Sequence, residues 1–225
     1  MEDYYQRKGQ PRIYPIGGTI GFTLLAHDAV PKAWLTALTT ERTNKLEAVK
    51  SSGKEEDQEA LQEVHRWYQL ELERLLSAKR EQEHPFLTAA IARAVIDRLI
   101  KDDGRWYTVQ AYSLMSNHLH ALLDFSVQCP PNYDGLTELP DYYSPKRWLG
   151  NFKGGTAYAA NRAVQRTGPL WMAHNNYNRY IRNFDHLGYT LNYIARNPEK
   201  AGLVDAWRAH PYTYVSPAML ELFRL

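Results

Sequence analysis

The sequence has only one cysteine, Cys129, in 225 residues. A single cysteine excludes an intrachain disulfide and any zinc site built from several thiolates. The apolar runs are all far shorter than the roughly 20 residues that a membrane-spanning helix needs, so we expect no membrane partner. Residues 1–10, MEDYYQRKGQ, also lack the apolar stretch of a secretory signal peptide. We therefore expect a cytoplasmic protein.

Charge is nearly balanced over the whole chain, at +2, but it is unevenly distributed. Residues 41–85 carry eleven acids against eight Lys and Arg, a net charge of about −3. Residues 146–208 carry ten Lys and Arg against three acids, a net charge of about +7, and contain many Tyr and Trp. A basic segment with interleaved aromatics is typical of surfaces that neutralise phosphates and stack on bases. A solvated basic surface without a partner is the alternative that composition leaves open.

The spacing of apolar residues predicts an α+β domain. Strands are predicted over 19–30, over 106–115 and 118–127 as a hairpin, and as an extended segment over 168–181; helices are predicted over 31–50, 59–78, 86–101, from 145 onward, and over 185–196. The order β, α, β, β, α, β, α predicts a ferredoxin-like (RRM-like) antiparallel sheet with helices on one face. We interpret residues 1–225 as one domain that carries a helical insertion at 45–83.

Two histidines, His118 and His120, stand one residue apart in NHLH, at the start of the second hairpin strand. Alternate side chains of a strand share one face, about 7 Å apart along the backbone. Two imidazoles placed in this way can bind one metal ion. An isolated pair of surface histidines is the competing interpretation, and the spacing alone does not decide between them.

The segment YIARNP places Tyr193 and Asn197 four residues apart, on one face of a predicted helix. An asparagine carbonyl oxygen suits a hard divalent ion such as Mg²⁺ or Mn²⁺. A tyrosine beside that ion offers a phenol that can act as a nucleophile. Taken alone, Tyr193 also fits core packing and Asn197 a helix C-cap. Combined with two imidazoles, the pair favours a metal site with open positions for a phosphate oxygen.

With these motifs the sequence resembles the single-tyrosine transposases of the HUH endonuclease superfamily, and most closely their REP-associated tyrosine transposase branch. LMSNHLHALL is similar to the family's Met-Pro-Asn-His-x-His signature, and YIARNPEKAGLV to its Tyr-Ile-x-x-Asn-Pro-x-x-Ala-Gly-Leu-Val. NFKGGTAYAANR and TGPLWMAHNNYNRYIRN are similar to its Lys-Gly helix and its Gly-x-Leu-Trp strand. The similar segments cover roughly 104–127 and 144–216, with a weaker match at 12–30.

The resemblance implies a metal-dependent endonuclease and strand transferase that acts on single-stranded, hairpin-bearing DNA. His118, His120 and Asn197 would bind Mg²⁺ or Mn²⁺. Tyr193 would attack a phosphodiester and form a 5′-phosphotyrosine, leaving a free 3′-OH. The sequence leaves open whether Tyr193 completes the site of its own subunit or that of a partner in a homodimer. The expected DNA contacts are Lys153, Arg179, Arg182 and Tyr177.

The sequence departs from the family pattern at three positions near these motifs. Ser116 stands where the family usually has Pro, Ala195 where it often has His, and Asn178 near the place of a common acid. A regulator of the same fold that binds DNA hairpins without cleaving them is therefore the alternative function. A structural metalloprotein is a third interpretation, which the basic aromatic segment 146–208 disfavours.

Overall fold

The computed structural model describes residues 3–7, 10–27, 29–52, 58–78, 88–135, 139–173 and 177–225. The chain divides into two compact units, which are Met1–His27 with His84–Leu225, and Asp28–Glu83. No helix within the described ranges combines the length and the apolar character needed to cross a membrane.

The described residues form seven strands and six α-helices. The strands are β1 Asp3–Arg7, β2 Gln10–Tyr14, β3 Thr19–Leu25, β4 Thr108–Leu114, β5 His118–Asp124, β6 Tyr177–Tyr180 and β7 Thr213–Val215. The helices are α1 Lys32–Ser51, α2 Gln58–Ala78, α3 Ala89–Ile100, α4 Pro145–Ala163, α5 Phe184–Lys200 and α6 Pro217–Phe223. Of these, α1 and α2 belong to the smaller unit and all others to the larger one.

The larger unit is built on a five-stranded antiparallel sheet in the order β6-β3-β5-β4-β7. Without the short edge strand β7, this order is that of a ferredoxin-like fold, so the predicted α+β class is confirmed. The predicted hairpin forms between β4 and β5, and Met115 N donates to His118 O across its turn at 2.8 Å. Strands β1 and β2 form a separate two-stranded sheet, which the sequence did not predict.

Helices cover both faces of the sheet. On one face, the ring centroid of Phe22 in β3 lies 4.4 Å from that of Trp148 in α4. On the other face, Leu122 of β5 packs in an apolar cluster with Leu191 and Ile194 of α5. Alternation along β5 produces this division, because successive side chains point to opposite faces. The structure therefore adds α5 on the face opposite α4, where the sequence predicted helices on one face only.

Two adjacent glycines lie inside α4, where the sequence left open either a break or a close packing contact. The helix is continuous, and the reason differs for each glycine. A Cβ at Gly155 would lie 3.0 Å from Nε of Arg98 in α3, whereas a Cβ at Gly154 would meet nothing within 4 Å. Gly155 thus permits close packing of α3 on α4, and Gly154 has no such role.

We expect Gly154→Ala to stabilise the protein by about 0.5–1 kcal/mol, because alanine in an exposed helix interior loses less backbone entropy than glycine. Gly155→Ala should gain less, since it must displace the Arg98 guanidinium, which pairs with Asp102 at 3.4 Å. Urea unfolding followed by circular dichroism measures both. An equal gain from the two substitutions would show that the contact with Arg98 has no energetic effect.

The smaller unit is a pair of helices that pack on each other. The Arg42 guanidinium lies 4.9 Å from the ring centroid of Tyr68, and the Lys45 ammonium lies 4.6 Å from that of Trp67. Buried residues come from both helices and are Leu35, Leu38, Val64, Tyr68, Leu72 and Leu76. Residue 45, where the sequence placed the start of an insertion, thus lies within α1. The description of 1–225 as one domain with an insertion at 45–83 stays a prediction.

Helix α5 runs from Phe184 to Lys200, past the end at Arg196 that Pro198 predicted. A proline inside a helix lacks one N–H donor and crowds the preceding turn. The last turn of α5 forms despite the missing donor because later backbone hydrogen bonds stabilise it. Ala201 N donates to Asn197 O at 3.0 Å, and Leu203 N donates to Pro198 O at 3.0 Å. Asn197 therefore stays helical, on the same face as Tyr193.

Candidate active site

The two histidines of β5 lie on the sheet face that α5 covers. His118 is 5% exposed and His120 is 2% exposed. Their ring centroids are 4.5 Å apart, with the ring planes at 78°. Their burial excludes the interpretation as an isolated surface pair. Two adjacent imidazoles on a covered face need polar partners, because a buried polar group without one is costly.

Helix α5 supplies two of these partners. Tyr193 Oη lies 3.3 Å from His120 Nε2, and Asn197 Nδ2 lies 3.3 Å from the same nitrogen. Asn197 Nδ2 also donates to Tyr193 Oη at 3.1 Å. The C-cap of α5 is Ala201, so Asn197 is not the C-cap residue. The phenol, the amide and the His120 imidazole thus lie within hydrogen-bond distance of one another. We call these three residues, together with the neighbouring His118, the site cluster.

Two further residues orient the imidazoles. His118 Nδ1 donates to Asn117 Oδ1 at 2.6 Å, because a carbonyl oxygen only accepts. His120 Nδ1 and Thr23 Oγ1 share a hydrogen bond of 2.9 Å. A hydrogen bond from the Nδ1 hydrogen places the lone pair of a neutral imidazole on Nε2, which is the usual arrangement of a metal-binding histidine. The sequence did not predict this orienting role for Asn117 or Thr23.

The two orienting residues differ in how the sequence could have indicated them. Asn117 immediately precedes His118, and its amide was within reach of any polar group on that residue. Thr23 lies 97 positions away and becomes the neighbour of His120 only because β3 pairs with β5 in this register. No local pattern in the sequence indicates that pairing.

Burial, and then the neighbouring His118, hold the pKa of His120 well below its usual value. A buried imidazolium is costly because desolvation disfavours the charged form. His120 is therefore neutral near pH 7, with a lone pair available for a ligand. This is the protonation state that metal coordination requires.

The donor set of the site cluster fits one divalent ion. It offers two imidazole nitrogens and, after a half turn of the Asn197 amide, a carbonyl oxygen in the place of Nδ2. The set contains no carboxylate, and no group of three or more His, Cys, Asp or Glu that could hold a metal occurs among the residues described. An Mg²⁺ or Mn²⁺ ion held here would lack the carboxylate charge that these ions usually find in proteins, and a bound phosphate would have to supply it.

Lys153, predicted to contact DNA, is half-buried and donates to the backbone carbonyl of Met172. The neighbouring Trp171 is buried, and its Nε1 donates to Thr156 Oγ1 at 2.7 Å. Lys153 and Trp171 therefore tie the chain before β6 to helix α4. A contact of Lys153 with phosphate stays a prediction.

Two predicted DNA contacts, Arg179 and Arg182, lie beside His186 at the start of α5. Burial, and then the positive charges of Arg179 and Arg182, lower the pKa of His186 to about 4. His186 Nδ1 accepts from Arg182 N at 3.3 Å. Both guanidinium groups therefore lie close enough to His186 to disfavour its charged form. Tyr177 pairs through its backbone with Thr23, and the position of its side chain lies outside what the structure describes.

No family model matches the chain, and no curated protein matches it. A solved structure, that of a REP-associated tyrosine transposase bound to a REP hairpin, is 15% identical in sequence, with a TM-score of 0.49. The match covers 92% of this chain and 82% of that one. That protein is of the family that the motifs around His118 and Tyr193 resemble.

Proposed function

We propose that this protein is a metal-dependent endonuclease and strand transferase that acts on single-stranded, hairpin-bearing DNA with Tyr193 as its nucleophile. The observation that supports this most directly is the meeting of Tyr193 Oη, Asn197 Nδ2 and His120 Nε2 within 3.3 Å of one another. A phenol beside two metal-binding groups is the arrangement that nucleophilic attack on a phosphate needs.

Each residue of the site cluster has a part in the proposed reaction. His118, His120 and Asn197 would hold Mg²⁺ or Mn²⁺, which when bound polarises a phosphate oxygen. Tyr193 Oη forms a bond to phosphorus, and the bond between phosphorus and the 3′ oxygen breaks. The phenol proton passes to water, and the departing 3′ oxygen takes one from water. The product is a 5′-phosphotyrosine and a free 3′-OH, whose attack reverses the step.

The proposed substrate follows from the charges around the site cluster. Arg179 in β6 and Arg182 just before α5 both lie near His186 in the first turn of α5. His186 and Tyr193 are seven residues apart, on one side of that helix. A phosphate backbone that follows α5 would therefore pass from the two arginines to the phenol. Unpaired nucleotides next to a hairpin can bend into such a path, whereas a duplex is stiff on this scale.

A cleavage assay tests this proposal. The purified full chain is incubated with 3′-labelled single-stranded hairpin oligonucleotides from the flanks of its own gene, with Mn²⁺, with Mg²⁺ or with EDTA. We expect metal-dependent cleavage of the hairpin substrate and none of the fully paired duplex. Cleavage that persists in EDTA would contradict the metal dependence.

A hairpin-binding regulator without turnover is the second candidate. The observation that favours it is at Ala195, where the resembled family often has a histidine. Ala195 is fully buried in the apolar cluster with Leu122 and Trp207, so this position gives the site no polar group. Tight hairpin binding with no cleavage under any metal condition would favour the regulator.

We expect the smaller unit to be dispensable for hairpin binding. Residues 28–83 contain twelve acids and nine Lys and Arg, and such a surface repels phosphates. Because α1 and α2 pack on each other, the whole unit must be replaced by a Gly/Ser linker, since cutting at residue 45 would remove the packing partner of α1. Affinity measured by fluorescence anisotropy should stay within about threefold of wild type. A large loss that depends on salt would show that this unit helps to bind DNA.

A further inference from the structure

A lysine lies on the ring of the proposed nucleophile. The Lys200 ammonium is 5.2 Å from the ring centroid of Tyr193. Residues seven apart on an α-helix are rotated by only about 20° from each other, so the two side chains share one side of α5. The same ring is nearly perpendicular to the His120 imidazole, with 5.1 Å between centroids and 79° between planes. Tyr193 thus contacts a cation over its ring face and also contacts an imidazole.

Among the described residues, Lys200 forms no ion pair. Glu199, the adjacent acid, accepts from Trp207 N at 2.7 Å and lies 3.6 Å from Arg196. Within the part of the chain that the structure describes, no carboxylate lies within ion-pair distance of Lys200. Lys200 is also exposed, so a DNA phosphate can approach it from solvent.

The charge of the ring changes during the proposed reaction. As Oη forms its bond to phosphorus and its proton leaves to water, negative charge develops on the phenol oxygen and on the phosphate oxygens. A cation over the ring face stabilises an electron-rich ring more than a neutral one. An interaction that strengthens toward the transition state raises the rate without tightening binding.

We propose that Lys200 is a further residue of the reaction, stabilising the negative charge that develops on Tyr193 and on the attacked phosphate. This rests on the proposed function. Lys200 donates no proton and forms no bond. A purely structural role is the contrasting possibility, since a lysine in the last turn of a helix also stabilises the helix dipole.

Lys200→Gln removes the charge, Lys200→Arg keeps it, and Arg196→Gln serves as a control on the same helix. The Arg196 side chain is held by Asn192 Oδ1 at 3.0 Å and by Glu199, away from the ring of Tyr193. We expect Lys200→Gln to lower the single-turnover rate of adduct formation at saturating hairpin by about tenfold, with hairpin affinity unchanged within threefold. Lys200→Arg should retain most of the rate, and Arg196→Gln all of it.

Three outcomes would overturn the proposal. One is a wild-type rate in Lys200→Gln, and another is an equal loss in Arg196→Gln, which would show a general effect of charge on the helix. The third is the absence of any adduct in the wild-type protein, which removes the reaction itself. An NMR measurement on the free protein tests the contact between Lys200 and the Tyr193 ring separately from the reaction. The Tyr193 ring should shift the ε-methylene protons of Lys200 upfield, and this shift should vanish in Tyr193→Leu. Absence of that shift would overturn the contact whatever the activity.

Discussion

Replacing Tyr193 by Phe should abolish the covalent protein–DNA adduct and leave hairpin binding intact. In the proposed reaction, Oη forms the bond to phosphorus, and no other atom of the ring takes part. The substitution keeps the ring and its packing against the apolar cluster beneath α5, and it removes the hydrogen bonds of Oη to His120 and Asn197. We therefore expect a loss of about 1 kcal/mol in stability and loss of the adduct by at least about a thousandfold.

The adduct is measured with a 3′-labelled hairpin on a denaturing gel. The 5′-phosphotyrosine joins the protein to the 5′ end of the downstream fragment. That fragment carries the 3′ label, so the label should migrate with the protein. The chain has 16 tyrosines, so the modified peptide must be identified by mass spectrometry. Tyr189→Phe is the matched control, because Tyr189 lies one turn earlier on α5 and is 63% exposed. An adduct that persists in Tyr193→Phe, or maps to another tyrosine, would contradict the assignment of the nucleophile.

Removing both imidazoles should abolish the divalent-ion dependence together with cleavage. We expect His118→Ala with His120→Ala to lower the cleavage rate by more than about a thousandfold at any Mn²⁺ concentration, because the site then keeps one ligand only. Hairpin affinity should fall by no more than about threefold, since phosphate contacts elsewhere supply it. The assay is cleavage against Mn²⁺ concentration, with affinity measured separately in EDTA.

Because both histidines are buried, replacing them by alanine also affects stability. Truncation removes the hydrogen bonds that Asn117 and Thr23 make to the imidazoles, each worth about 0.5–1.5 kcal/mol. A single His118→Gln variant, which retains polar atoms, therefore accompanies the double variant, and His210→Ala serves as a control at a half-buried histidine outside the site cluster. Normal cleavage by a folded double variant would show that the histidines do not bind the metal.

Asn197→Ala should have a smaller effect of a different kind. It removes one neutral ligand and leaves the nucleophile and both imidazoles in place. We expect the Mn²⁺ concentration for half-maximal cleavage to rise by about 10- to 100-fold, with the adduct still on Tyr193. An unchanged metal requirement would show that Asn197 only positions the phenol, through its hydrogen bond of 3.1 Å.

The sequence by itself determined the local parts of the site. The spacing in NHLH places two imidazoles on one face of a strand, and the spacing of Tyr193 and Asn197 places a phenol and an amide on one face of a helix. Both inferences use only the side-chain periodicity of a single element, which is fixed once that element forms. The element order in the same way predicted the antiparallel sheet, because short connections favour few topologies.

Only the tertiary structure decided which of these groups meet. That α5 covers the histidine face, that Thr23 faces His120, and that Lys153 is held by a backbone carbonyl all depend on strand order, register and packing between distant segments. The last turn of α5 shows the same limit, since the local rule for Pro198 ended the helix early and left Lys200 outside it. Contacts between elements depend on the sum of many weak interactions across the fold, which no short stretch of sequence contains.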